Sequence, residues 1–89
     1  MLAARVDGNQ AQIVEALRAV GCSVVDLHRV GGGVSDLLAC FRGETFLIEC
    51  KVGEPRFTEA EDAFMASWPG RIEVVTSPEG ALRAIGATP

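Results

Sequence analysis

Asp36, Glu49 and Lys51 stand within "SDLLACFRGETFLIECK", the run from residue 35 to residue 51, among residues otherwise suited to the interior of a sheet. Burying a charge without a partner costs several kcal/mol or forces a pKa shift. If Arg42 and Gly43 form a two-residue turn, opposed residues of the hairpin sum to 85, and Asp36 faces Glu49. Opposed residues share a face, with Cβ atoms about 5 Å apart. Lys51 lies two residues beyond Glu49 and falls on that same face. A four-residue loop would preserve the shared face, whereas a three-residue loop would split the two acids. Like charges directly opposite are destabilising. A divalent cation held between the carboxylates would make the arrangement acceptable, and so would a shared proton. Magnesium prefers hard oxygen ligands from one or two carboxylates, completed by water and phosphate. A nearby lysine can then orient an activated water or offset charge on a phosphate. A purely structural Asp–Lys or Glu–Lys pair at a sheet edge fits the same spacing. Spacing alone leaves these readings open.

The other face of the hairpin would carry Leu37, Ala39, Phe41, Phe46, Ile48 and Cys50, while Leu38 and Leu47 join the acids. Both faces are apolar in part, so the sheet is expected to have helices on both sides. The flanking elements follow from periodicity. Residues 9 to 20 carry Ile13, Val14, Leu17 and Val20 at helical spacing, with Asp7 or Asn9 as cap and Gly21 as stop. Residues 23 to 30 read as a strand, broken by Gly31, Gly32 and Gly33. Thr58 and Glu61 make a capping box for a second helix, and Glu59, Glu61 and Asp62 suit the positive end of its dipole. That acidic cluster is thereby given a structural explanation. "RIEVVT" (71–76) reads as a fourth strand, and Ser77 with Pro78 opens a last short helix. The order is α-β-β-β-α-β-α within a single domain, residues 1–89.

Composition narrows the function classes. The 89 residues are 48% hydrophobic, which suits a globular chain, and no apolar run reaches membrane-spanning length. The N-terminal stretch lacks the apolar core of a secretory signal, so a cytoplasmic location is expected. Cys22, Cys40 and Cys50 form no paired motif, and their odd count and apolar neighbours predict reduced core thiols in a reducing compartment. His28, the one histidine, is expected to be a half-exposed structural residue in its strand. A net charge of −4 argues mildly against a polyanion partner.

Taken together, "DGNQAQIVEALRAVG", "VGGGVSDLL", "FLIECK", "FTEAEDAF" and "WPGRIEVV" resemble, in order, the PD-(D/E)XK nuclease superfamily. More narrowly they resemble the small stand-alone VRR-NUC or Holliday-junction-resolvase-like nucleases. The resemblance covers most of the chain and implies a restriction-endonuclease-like αβββαβ core followed by a C-terminal helix. It also implies a Mg²⁺- or Mn²⁺-dependent endodeoxyribonuclease acting on DNA. Asp36, Glu49 and the Cys50 backbone carbonyl would hold the metal, and Lys51 would orient or activate the attacking water. Asn9 and Gln10 match positions at which a polar residue of the first helix supports the site, with Asp7 a further candidate. The motif's proline is replaced by Ser35, which is expected to leave the loop looser.

Arg29, Arg42, Arg56 and Arg71 are expected to line the approach of DNA. A homodimer is expected as well, since a small acidic monomer offers little surface to a duplex. The alternatives are a nuclease-like module that binds DNA or a partner protein without cutting, and an acid–base enzyme that uses the carboxylates without metal. A helicase or other DNA-processing protein that delivers the DNA would be a further partner under this resemblance.

Overall fold

The computed structural model describes residues 8–87. Asp7 and the N-terminal stretch therefore lie outside the described residues. The chain forms α1 (Gln10–Ala19), β1 (Ser23–Asp26), β2 (Leu37–Phe41), β3 (Glu44–Cys50), α2 (Glu59–Ser67), β4 (Ile72–Val75) and α3 (Pro78–Ile85). One four-stranded sheet has the order β1-β2-β3-β4. Its first three strands are antiparallel and β4 runs parallel to β3, with α2 in the crossover. The fold is α/β with a mixed open sheet, and the element order is the one the sequence predicts.

The hairpin register agrees with the two-residue turn. Leu37 pairs with Ile48 and Phe41 with Glu44. Arg42 and Gly43 have φ of 51° and 82°, the left-handed conformation that a tight hairpin turn of this twist requires at both centres. Arg42 tolerates this while its guanidinium lies 4.7 Å from the centre of the Phe41 ring. Alternation then divides the side chains as expected. Leu37, Ala39, Phe41, Phe46, Ile48 and Cys50 are buried with Ile13 and Leu17 of α1 and Ala81 and Ile85 of α3. This face holds the hydrophobic core.

The opposite face carries Leu38, Leu47 and Glu49, and α2 lies over it. Contacts of α2 with this face run through Glu61 at one end and Trp68 beside Leu38 and Leu47 at the other. No residue of α2 is fully buried, though Phe64 and Met65 are partly so and Phe64 stacks on Trp68. Its N-terminus is also set by Gly33, whose φ is 81° and where an added Cβ would overlap the Ala60 carbonyl. Only glycine permits both that conformation and that approach.

Two local expectations are corrected. β1 ends at Asp26 rather than continuing to Val30. The Asp26 carboxylate accepts the His28 backbone N–H at 2.9 Å and contacts its ring Nδ1 at 2.7 Å, turning the chain as aspartate side chains commonly do. His28 is half-buried, but in that turn and not in a strand. Cys40, expected among core thiols, is exposed because alternation along β2 turns it to the face opposite Ala39 and Phe41, while Cys22 and Cys50 are buried. Among the described residues no helix is long and apolar enough to cross a membrane.

Candidate functional site

Asp36, Glu49 and Lys51 converge where β3 ends. Extending the Leu37–Ile48 register by one residue sets Asp36 opposite Glu49, and Lys51 follows Cys50 directly. The Lys51 Nζ lies 3.4 Å from Glu49 Oε2, so the shared face is realised. Glu49 is 3% exposed, deep for a carboxyl group. Burial raises its pKa most, and the charges of Asp36 and Glu61 add to that, so it reaches about 8 in spite of the Lys51 ammonium.

Asp36 differs from Glu49 in having a backbone duty. Its Oδ2 accepts the Cys50 backbone N–H at 2.8 Å, and its own carbonyl accepts the Leu27 N–H at 2.7 Å. The carboxylate thus fixes the end of β3 as well as charging the site. Cys50 buries its side chain completely in the core, on the face away from Glu49, as expected.

Glu61 is the residue that sequence reasoning set aside. Its capping box with Thr58 is present in full, the Glu61 N–H donating to Thr58 Oγ1 at 3.1 Å. Yet Glu61 Oε1 accepts from Lys51 Nζ at 2.9 Å and from the Thr58 N–H at 2.9 Å. Burial opposes ionisation of Glu61, but the Thr58 N–H and Lys51 outweigh it and hold the pKa below the usual value. Burial similarly opposes the charge on Lys51, and Glu61 and Glu49 outweigh it and raise the pKa. The Lys51 ammonium also stands 5.1 Å from the centre of the Phe57 ring. The sequence signal was present, since Glu61 is one turn into a helix that must cross this face. A sufficient local role concealed it.

The supporting residues separate. Asn9 makes no side-chain cap on α1. Instead its Nδ2 donates to the Lys51 carbonyl at 3.0 Å and to the Thr76 carbonyl at 2.8 Å, tying the start of α1 to the ends of β3 and β4. Gln10 is buried, but its Nε2 points to Asp26 Oδ2 at 3.4 Å. With Asp26 it lines a hollow of about 550 Å³ to which Asp36, Glu49 and Lys51 do not contribute. Asn9 therefore braces the Lys51 backbone, whereas Gln10 braces β1.

The arginines separate in the same way. Arg42 is at the hairpin turn, the end of β3 away from Glu49. Arg71 precedes β4 at that same end, bound to Glu73 at 2.7 Å, Glu44 at 3.1 Å and the Ala84 carbonyl at 2.8 Å. Neither lines an approach to the acids. Arg29 and Arg56 are exposed on the loops after β1 and β3, at the site's end of the sheet.

Asp36 and Glu49 supply two carboxyl groups, hard oxygen donors of the kind a divalent cation takes, and with Glu61 the carboxyl groups outnumber the one ammonium beside them. Among the described residues no group of three or more His, Cys, Asp or Glu side chains is arranged to hold a metal ion. Any ion here would thus complete its shell from the backbone, water and phosphate. No family model, curated protein or solved structure matches this chain.

Proposed function

We propose that the chain is a metal-dependent nuclease that hydrolyses DNA phosphodiester bonds. The observation that carries this reading is the grouping of Asp36, Glu49 and Lys51 at the end of β3, with Glu49 held nearly out of solvent beside two other carboxylates. A structural ion pair would need one acid and one base. The excess of acid is what a site for a divalent cation and a phosphate requires. The αβββαβ order and the D…ExK spacing, from Asp36 to Glu49 and Lys51, support the resemblance to PD-(D/E)XK nucleases.

In this reading Asp36, Glu49 and the Cys50 carbonyl hold Mg²⁺, or Mn²⁺ in its place. The bound cation would supply charge stabilisation on the phosphate and a water of lowered pKa. Lys51 places its ammonium against the attacked phosphate and the water, Asn9 fixes the Lys51 backbone, and Arg29 and Arg56 meet the flanking phosphates.

Manganese titration with nuclear magnetic resonance detection tests the metal assignment. Paramagnetic broadening is expected first at the amides of Asp36, Cys50 and Lys51, and Asp36→Asn is expected to abolish it. Asparagine keeps an oxygen to accept the Cys50 N–H, so the backbone is preserved. Broadening confined to exposed acids such as Glu59 and Asp62 would refute the assignment. DNA binding that neither needs metal nor leads to cleavage would favour the silent binding module.

The same reading includes a homodimer. β4 is an edge strand, Val74 on it is exposed, and Trp68 is 44% exposed just before it. Pairing through this edge would cover the apolar surface and double the footprint on DNA. Sedimentation at micromolar protein is expected to show a dimer, and a monomer with full activity would contradict it.

A further inference from the structure

We infer that Glu61 is the positioning residue for Lys51, and that the Thr58 backbone N–H at the start of α2 holds its carboxylate in place; this rests on the nuclease reading. The argument begins with one oxygen. Glu61 Oε1 accepts from the Thr58 N–H and from Lys51 Nζ, each at 2.9 Å. A capping-box glutamate needs only the first of these contacts. The second joins the helix start to the site across ten residues of sequence.

A lysine side chain has several rotatable bonds and a strongly hydrated head, so it does not hold a catalytic position unaided. Three contacts hold this one. Glu61 anchors it at 2.9 Å, Glu49 at 3.4 Å, and the Phe57 ring flanks it at 5.1 Å. If Glu49 is a metal ligand, its lone pairs turn to the cation when the site is filled. Glu61 is then the remaining anion that can keep the ammonium from swinging toward solvent. The Glu61 carboxylate is itself fixed by the Thr58 N–H, and α2 is seated by the close approach of Gly33 to Ala60. The chain of support runs from the glycine loop through the helix start to Lys51.

Glu61→Gln and Thr58→Ala separate this role from helix capping. Glutamine still accepts the Thr58 N–H but presents no charge to Lys51, whereas Thr58→Ala removes the hydroxyl cap and leaves the carboxylate. Glu61→Gln is expected to lower single-turnover cleavage by roughly tenfold to a hundredfold, the scale found for residues that orient a ligand or catalytic group. Its magnesium requirement should shift less than its cleavage rate, because Glu61 is not a ligand. Thr58→Ala should cleave at the wild-type rate per folded molecule while melting earlier.

A second readout is independent of cleavage. The Lys51 ammonium resonance should be resolved and slow to exchange in the wild type and in Thr58→Ala, and should be lost in Glu61→Gln. Equal cleavage by Glu61→Gln and wild type, or an unchanged Lys51 signal in Glu61→Gln, would overturn the inference. If the wild type cleaves no DNA, the proposed function fails, and the Lys51 signal still decides whether Glu61 positions it.

Discussion

Glu49→Gln is expected to abolish cleavage and to stabilise the metal-free protein at neutral and alkaline pH. Glutamine is nearly isosteric with a protonated glutamic acid, the form that burial and the neighbouring carboxyl groups favour here. It cannot supply a charged oxygen to a cation. The effect on stability follows from linkage. Glu49 has a folded pKa of about 8 against an ordinary value of 4.5, raised chiefly by burial and then by Asp36 and Glu61. Between those values the folded state binds more protons than the unfolded state, so wild-type stability falls as pH rises. The slope approaches about 1.4 kcal/mol per pH unit at most.

The neighbouring groups act outside that window. Glu61, held below the usual value, contributes stability that is lost on acidification through its folded pKa. Lys51, raised, contributes stability that is lost only above its ordinary alkaline value. Glu49→Gln should therefore flatten the fall between pH 5 and 8 and raise metal-free stability by about 1–3 kcal/mol at pH 7. Urea unfolding across that range checks this. A loss of stability in Glu49→Gln at pH 8 would mean that the Glu49 charge is structural.

Lys51→Ala carries the second large expectation, and here the signs are reversed. Removing the ammonium leaves Glu49 and Glu61 facing one another in a partly buried site without their cation. The metal-free fold should lose about 1–3 kcal/mol, since a carboxylate left unpaired inside a protein is costly. Cleavage should fall by about a hundredfold to a thousandfold, the usual loss when a preorganised charge is removed from a reacting centre. Magnesium affinity, in contrast, should hold or tighten, because Lys51 is no ligand and its charge repels the cation. Calorimetry separates the two effects. A loss of magnesium affinity as severe as in Glu49→Gln would contradict the role given to Lys51.

Local chemistry determined which parts of this arrangement were legible in the residues. The hairpin could be read because alternation and a two-residue turn leave one register that buries Phe46 and Ile48 together. The capping box and the Ser77–Pro78 helix start could be read for the same reason, being complete within four residues. What escaped depends on partners distant in sequence. Asn9 looked like a helix cap, yet its amide reaches carbonyls 42 and 67 residues away. Asp36 looked like a free counterpart of Glu49, yet it also accepts the Cys50 N–H. Arg71 looked available to DNA, yet Glu44, Glu73 and the end of α3 engage it. In each case a polar side chain had a plausible local use, and the fold gave it a long-range one.

The central claim is that this centre cuts DNA with a divalent cation. Its most direct test is cleavage of end-labelled single-stranded, nicked, flapped and four-way-junction DNA by the purified chain, with magnesium, with manganese and with chelator. Cleavage of at least one substrate is expected with either metal, absent with chelator and absent in both Asp36→Asn and Glu49→Gln. Intact DNA throughout the panel, from a folded protein supplied with either metal, would contradict the claim, as would cleavage that survives Glu49→Gln.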